Sequence, residues 1–174
     1  MKEIEIKILE VDKKKLSKRL LSLGAKKVFD GQLLSLFFDY KDGRLKDSGN
    51  TLRIRKEGKE SFLYLKSFIS DSDVKTREEL CVKVDDISAA ENILGRLGLK
   101  PDGKLLKHRT SYSLGEVKVE FDRYLEEYSF VPEFLEIEGP DAETIFEVAK
   151  KLGYSKGDCK PWTFRQLVEH YKKI

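Results

Sequence analysis

Charged residues two positions apart recur along this chain: Glu3-x-Glu5-x-Lys7, Arg53-x-Arg55, Lys75-x-Arg77-x-Glu79, Lys107-x-Arg109, Glu120-x-Asp122 and Glu136-x-Glu138. On an extended strand successive side chains point to opposite faces, so both members of such a pair point the same way, about 7 Å apart. That spacing suits two grips on one polyanion or on its metal. Carboxylate oxygens in such pairs favour a hard divalent cation, Mg²⁺ or Mn²⁺. Histidine and cysteine chemistry is poorly supplied by comparison. Cys81, Cys159, His108 and His170 are scattered, with no C-x-x-C or Cys/His cluster, so a zinc centre or a Cys–His nucleophile is not expected and two free thiols are.

The residues between the charges are apolar, and this places the charges. Residues 2–8 set Ile4, Ile6 and Ile8 against Glu3, Glu5 and Lys7, a period of two that predicts a strand. The same alternation predicts strands over 27–40, 51–57, 60–68, 75–84, 104–113, 116–124 and 133–138, with loops over 41–50 and 69–74. Leu52 and Ile54 oppose Arg53 and Arg55; Leu63 and Leu65 oppose Phe62, Tyr64 and Lys66; Leu80, Val82 and Val84 oppose Lys75, Arg77, Glu79 and Cys81. Val117, Val119 and Phe121 oppose Lys118, Glu120 and Asp122, and Leu135 and Ile137 oppose Phe134, Glu136 and Glu138. Helices are expected after Asp12 (with Leu16, Leu20 and Leu23 on one face, stopped at Gly24), after Asp86 or Ser88 through Leu97, from Asp141 to Leu152, and after Pro161 to Lys172. Residues 5–26 and 79–100 align at a constant offset, suggesting two similar halves of four strands each.

An ordinary antiparallel sheet has one wet, charged face, but a wet face usually mixes Thr, Ser and Gln with its charges. Eight strands are enough to close a barrel. If amphipathic helices cover the apolar outside, the ionic face turns inward, and a lumen with both signs calls for a polyanionic ligand and a divalent cation. Charges left unpaired there would be costly, so water, metal or ligand must neutralise them. The expected fold is α+β: an eight-stranded antiparallel β-barrel with a charged interior and flanking helices, one domain over 1–174.

Composition narrows the partners. The chain has 174 residues, 34 Lys+Arg against 31 Asp+Glu and a formal charge of +3. A dedicated nucleic-acid protein would be strongly basic, so no nucleic-acid partner is expected. At 37% the charged fraction exceeds the average of about 25%. The start, Met1-Lys2-Glu3-Ile4-Glu5, has no apolar signal core, and no run reaches the ~20 apolar residues that span a bilayer. A cytoplasmic protein without a membrane partner is expected.

In this order and phase the motifs resemble the CYTH, or triphosphate tunnel metalloenzyme, superfamily, which includes class IV adenylyl cyclases, thiamine triphosphatases and inorganic triphosphatases. Its hallmark Glu-x-Glu-x-Lys strand is present as Glu3, Glu5 and Lys7. Arg53-x-Arg55, Lys66, Arg77-x-Glu79, Lys107-x-Arg109-x-x-Tyr112, Glu120-x-Asp122 and Glu136-x-Glu138 follow in sequence. The resemblance runs from residue 3 to about 138. It implies a tunnel that binds triphosphates with Mg²⁺ or Mn²⁺. By it Lys7, Arg53, Arg55, Lys66, Arg77, Lys107 and Arg109 would hold phosphate oxygens, arginine forks bidentately and lysines as point charges. Glu3, Glu5, Glu120, Asp122, Glu136 and Glu138 would hold metal. Lys7 would stand near the scissile phosphate, as a phosphate ligand or proton-transfer group. Lys75, Glu79 and Lys118 share the lumenal phase, and Lys160 would match a basic residue that closes the tunnel.

Other conspicuous residues read as structure. Trp162 and Phe164 are expected to dock the last helix, Tyr64 and Phe134 to pack at the mouth, Lys13-Lys14-Lys15 to be a solvated helix face, and His108 to face outward. Three functions remain open: hydrolysis of tripolyphosphate or an organic triphosphate such as thiamine triphosphate, cyclisation of ATP to cAMP and pyrophosphate, and non-catalytic binding of a polyphosphate or nucleotide. The segment 123–134 differs from the short glycine-containing link of many cyclase-like members and tilts the reading toward hydrolysis. A monomer or homodimer is expected.

Overall fold

The structure, a computed structural model, describes residues 2–173. Eight strands close into an antiparallel barrel in the order β1-β5-β4-β3-β2-β6-β7-β8. They are β1 (Lys2–Ile8), β2 (Lys26–Tyr40), β3 (Thr51–Glu57), β4 (Glu60–Asp71), β5 (Lys75–Lys83), β6 (Leu99–Leu114), β7 (Val117–Tyr124) and β8 (Phe134–Gly139). Among the described residues five α-helices accompany them: α1 (Lys13–Ser22), the short α2 (Arg44–Asp47), α3 (Ile87–Arg96), α4 (Ala142–Leu152) and α5 (Phe164–Lys172). The order is β1, α1, β2, α2, β3 and β4, then β5, α3, β6, β7 and β8, with α4 and α5 after the last strand.

Helix ends follow their capping chemistry. Asp12, Asp86 and Asp141 each accept a hydrogen bond from a backbone N–H three residues on, Lys15, Ala89 and Thr144, satisfying donors that the first turn leaves free. Asp86, not Ser88, therefore caps α3. Gly24 and Gly98 follow the C-termini of α1 and α3 with φ of +87° and +89°, a left-handed backbone that suits glycine.

Among the described residues two apolar clusters lie outside the barrel wall and a third lies within it. Ile4, Ile6 and Ile8 of β1, Val117, Val119 and Phe121 of β7, and Leu135 and Ile137 of β8 turn outward under α1 and α4, meeting Leu16, Leu20, Ile145, Val148 and Leu152. Phe38, Ile54 and Leu99 pack beneath Leu94 of α3. The third cluster is lumenal: Leu105, Tyr124 and Phe134, all in phase with the interior charges, pack against Leu167 and Val168 of α5 and close one end of the barrel. Phe164 stacks edge-on against Tyr124 and Tyr128 at 5.5 and 4.9 Å. Trp162 and Phe164 thus dock the last helix, as expected.

Several boundaries differ from the pattern-based expectation. β6 begins at Leu99 rather than 104, because pairing with β2 carries the chain through Pro101-Asp102-Gly103, with a register shift between Phe37 and Phe38 absorbing the irregularity. β4 runs on to Asp71, and the loop over 41–50 contains α2, whose Leu45 and Lys46 N–H groups donate to the buried Asp39 carboxylate. Leu23 caps α1 and is 38% exposed rather than on its buried face. The helices do not cover the whole outside: Leu80 and Val82 of β5 are each 57% exposed.

Burial separates the apolar positions. Leu20→Ala, beneath α1, is expected to lower unfolding stability by about 2–5 kcal/mol, whereas Leu80→Ser should change it by no more than about 0.5 kcal/mol. Urea titration followed by circular dichroism checks both, and equal losses would contradict this placement.

Candidate active site in the barrel lumen

Register decides which side chains meet. β1 lies between β5 and β8, with Glu5 opposite Lys75 on one side and Glu138 on the other, and Lys7 opposite Glu136. β6 and β7 set Arg109 opposite Asp122, while β7 and β8 set Glu120 opposite Glu136 and Lys118 opposite Glu138. Around the barrel, β3 sets Arg53 opposite Tyr64, and β4 sets Lys66 opposite Glu79. Closure thus brings carboxylates of β1, β7 and β8 to face cations from β3, β4, β5 and β6.

Arg109 is the hub. Its Nε donates to Asp122 Oδ1 at 2.6 Å, and its terminal nitrogens reach Asp122 Oδ2, Glu136 and Glu120. Lys107 also pairs with Asp122, which is fully buried. Lys7 sits 2.9 Å from both Glu5 and Glu136 and is 2% exposed. Glu5 takes a further ammonium from Lys75 at 2.7 Å, and Lys66 bridges Glu3 and Glu79. Ser111 donates to Glu120 at 2.8 Å.

These contacts set the ionisation states. Burial acts against the charged form of each group, but at Lys7 the carboxylates of Glu136 and Glu5 outweigh it and push the pKa up. Burial likewise favours neutral Glu5 and Glu136, yet Lys7 and Lys75 hold the first down, and Lys7, Lys107 and Arg109 hold the second well below the usual carboxylate range. Lys75 and Lys107 move down, mainly through burial. Glu138 moves up, through burial and then through the negative charges of Glu3 and Glu120, against the pull of Lys118. Lys7 is therefore held as an ammonium ion, a donor and positive charge rather than a base.

Among the described residues three buried side-chain atoms have no hydrogen-bond partner: Glu3 Oε2, Arg53 Nε and Arg55 Nε. They divide by chemistry, an acceptor on the carboxylate arc and two donors on the cationic arc. A buried polar atom without a partner is costly, and a cation at the first and an anion at the other two would remove that cost. By donor type the six carboxylates fit a hard divalent cation. Their present geometry is another matter: among the described residues no group of three or more His, Cys, Asp or Glu is arranged to hold a metal, and Arg109 occupies the space between Glu120, Asp122 and Glu136.

The expected site residues do not all converge. Glu3, Glu5, Lys7, Arg53, Arg55, Lys66, Lys75, Glu79, Lys107, Arg109, Glu120, Asp122 and Glu136 line the lumen. Arg77 instead turns to the β4–β5 turn, where it grips Asp71 through both terminal nitrogens at 2.6 and 3.0 Å and donates to the Ser70 and Thr76 carbonyls. Lys118 is exposed and reaches Glu138 at 3.3 Å at the rim. Lys160 joins the wall by its backbone, exchanging hydrogen bonds of 2.8 Å with Lys7, while its ammonium donates to the Gly157 carbonyl. His108 stays outside, 3.3 Å from Asp30. Three neighbours of the site were not singled out from sequence: Glu57, paired with Arg55; Asp71, paired with Arg77; and Tyr124, buried beside Phe134 at 5.2 Å between their ring centres. Glu57 and Tyr124 each lie two residues beyond a selected charge, so strand phase contained the signal.

Residues 1–160 match the family model of the CYTH domain. The chain belongs to the CYTH family. A Methanocaldococcus jannaschii protein named "Putative adenylate cyclase" is 29% identical over 176 residues, covering 96% of this chain and 98% of that protein. A Pyrococcus horikoshii structure shares 27% identity with a TM-score of 0.78, over 95% of this chain and 98% of that one. A Hippeastrum structure, described as a "Putative adenylyl cyclase" that reveals a dominant triphosphatase activity, superposes with a TM-score of 0.72 at 19% identity, over 97% and 95% of the two chains. The CYTH fold accounts for a charged lumen, and the family implies divalent-metal use. Among the described residues no helix is long and apolar enough to cross a membrane.

Two outcomes test this electrostatic frame. Arg109→Gln leaves three buried carboxylates without their shared cation, and should cost about 3–5 kcal/mol of stability at neutral pH, measured by thermal melting. The depressed pKa values of Glu5 and Glu136 mean that folding holds their protons less tightly than the unfolded chain does. Their contribution is therefore fully present above the ordinary value of 4.5 and is lost as pH falls below it toward the folded pKa values. Melting temperature should fall on acidification below about pH 4.5, where the unfolded carboxylates take up protons; a Glu5→Gln, Glu136→Gln double variant should show a shallower decline.

Proposed function

We propose that this protein is a divalent-metal-dependent triphosphatase, hydrolysing inorganic or organic triphosphates within its barrel. The observation that carries the reading is the division of the lumen. The partnerless nitrogens of Arg53 and Arg55 stand on one arc and the partnerless oxygen of Glu3 on the other. A triphosphate with its counter-cation presents the complementary pair of charges.

Arg53, Arg55, Lys66, Lys107 and Arg109 would hold the phosphate chain. Guanidinium forks fix its orientation and lysines neutralise its non-bridging oxygens. Lys7, held as an ammonium by Glu5 and Glu136, would donate to an oxygen of the phosphoryl group being transferred. Glu3, Glu5, Glu120, Asp122, Glu136 and Glu138 would hold the cation, Mg²⁺ or Mn²⁺. Bound there, such an ion neutralises phosphate oxygens and makes a nearby water a better nucleophile. The aromatic closure by Tyr124, Phe134 and α5 keeps solvent from one end of the lumen. Phosphoryl transfer needs mainly positioning and charge stabilisation, which the lumenal residues would supply. Hydrolysis asks nothing of the chain beyond them, and the Hippeastrum protein provides a precedent for triphosphatase activity on this fold.

A second reading, cyclisation of ATP to cAMP and pyrophosphate, is favoured by the name of the Methanocaldococcus relative, which matches nearly the full chain. Both reactions use the same charged residues and differ in whether water or the ribose 3′-hydroxyl attacks.

Product analysis separates them. With Mg²⁺ or Mn²⁺, purified protein should release phosphate from tripolyphosphate, and product should vanish with EDTA; chelator-insensitive turnover would exclude the metal. ATP and thiamine triphosphate assayed in parallel distinguish an organic from an inorganic substrate, and cAMP with pyrophosphate as the main products would establish the cyclase reading. Glu138→Gln should lower turnover by at least about a hundredfold, of the order seen when one electrostatic group of a preorganised site is removed. Unchanged turnover would remove Glu138 from the site.

A further inference from the structure

The pair Arg53 and Arg55 poses a problem that the assigned site residues do not solve. The two guanidiniums leave the same face of β3, about 7 Å apart at their origins. Like charges so placed repel, and the Arg53 pKa is lowered first by burial and then by Arg55. Arg53 also feels the attraction of Glu3 and Glu79. In the absence of an anion the pair has reason to spread apart or fold toward the carboxylates.

Tyr64 lies between them. It stands directly opposite Arg53 across the β3–β4 ladder, on the lumenal face, and is 6% exposed. Its ring centre is 5.3 Å from Arg53 Cζ and 4.4 Å from Arg55 Cζ, both inside the range of about 6 Å for a cation–π contact. Its hydroxyl accepts a hydrogen bond from Arg55 Nη2 at 2.7 Å and donates to Glu57 Oε1 at 3.3 Å, while Glu57 pairs with Arg55 directly. Phe62, with its ring centre 6.1 Å away, supports the ring from the next lumenal position on β4. One tyrosine thus offers a π face to two cations and ties the second to an acidic neighbour. Both Nε atoms remain without a partner.

We infer that Tyr64 is a positioning residue for triphosphate binding: it holds Arg53 and Arg55 as one preorganised anion grip. It acts through the arginines, since its hydroxyl is engaged as donor and acceptor within the Tyr64–Arg55–Glu57 cluster. Holding the grip in place before binding spares the ligand the cost of ordering two long side chains. The effect belongs in binding rather than in the chemical step. This inference rests on the reading that Arg53 and Arg55 bind the phosphate chain.

The experiment compares wild type, Tyr64→Phe, Tyr64→Leu, Arg55→Lys, the Tyr64→Phe, Arg55→Lys double variant, Arg53→Ala and Arg55→Ala. Each is measured for Mn²⁺-dependent phosphate release from tripolyphosphate, for tripolyphosphate affinity by calorimetry and for melting temperature. Tyr64→Phe keeps the ring and loses the tether, and should raise KM and Kd about three- to tenfold, the effect of one lost hydrogen bond, with kcat within twofold. Tyr64→Leu loses both and should raise them further, so that Phe partly rescues Leu. In the double variant the two losses should fall short of additive, because they remove one shared contact. Unchanged KM and Kd in both Tyr64 variants, or a fall in melting temperature and kcat with KM unmoved, would overturn the positioning role while leaving the triphosphate site intact. Arg53→Ala and Arg55→Ala variants with wild-type affinity, or wild type that does not bind tripolyphosphate, would instead overturn the underlying reading and the inference with it.

Discussion

A charge inside a protein must be met by an opposite charge, and in this barrel most of the architecture follows from that requirement. The desolvation penalty for one ion is several kcal/mol, recovered only when partners satisfy its hydrogen bonds as well as its charge. Arg109 shows the consequence. Its guanidinium serves Glu120, Asp122 and Glu136, contributed by two strands other than its own. Those partners exist only if β6, β7 and β8 are adjacent and in one register, so the ion pairs favour the closed barrel over alternative pairings. A register slip of a single residue would turn every one of these charges into the apolar layer beneath α1 and α4.

The fold was legible where local pattern and tertiary environment agree. Alternation such as Ile4-x-Ile6-x-Ile8 located the strands, and aspartates before apolar stripes located α1, α3 and α4. It failed where long-range pairing overrides local preference. Pro101-Asp102-Gly103 carries turn chemistry, yet β2 is long enough to draw it into β6. The outer face of β5 illustrates a different limit. Leu80 and Val82 alternate as regularly as the buried isoleucines of β1 but remain exposed, because period shows which residues share a face and not whether another element covers it.

The candidate site divides in the same way. Phase assigned the charges to one lumen, since a period of two is a property of each strand alone. It could not say which ions pair, since that depends on barrel order, strand stagger and side-chain length. Arg77 has the right phase and lies opposite Glu3 of β1 in register, yet its guanidinium goes to Asp71 at the end of β4. Lys160 was selected for its charge and contributes its backbone, taking the place beside Lys7 that β5 does not reach. Tyr64 has a lumenal phase readable from sequence, but its place between two guanidiniums exists only once β3 and β4 are paired.

The near balance of 34 basic and 31 acidic residues takes on a specific meaning inside the barrel. A neutral total says nothing about where the charges lie; the lumen gathers both signs and lets them neutralise one another. Such internal pairing answers the desolvation problem without a ligand, but it also occupies the groups that a ligand would use. Arg109 sits where a cation would meet three carboxylates, and those carboxylates hold the guanidinium that would meet a phosphate. On the triphosphatase proposal, binding of a metal–triphosphate would be an exchange of partners. An anion that drew Arg109 away would expose the carboxylates to the cation, and a cation on the carboxylates would release Arg109 for the anion. Each event lowers the cost of the other, and linkage requires the two couplings to be equal. Metal and triphosphate should then enter as a cooperating pair, a property that arises from mutual occupation of the charges rather than from any single residue.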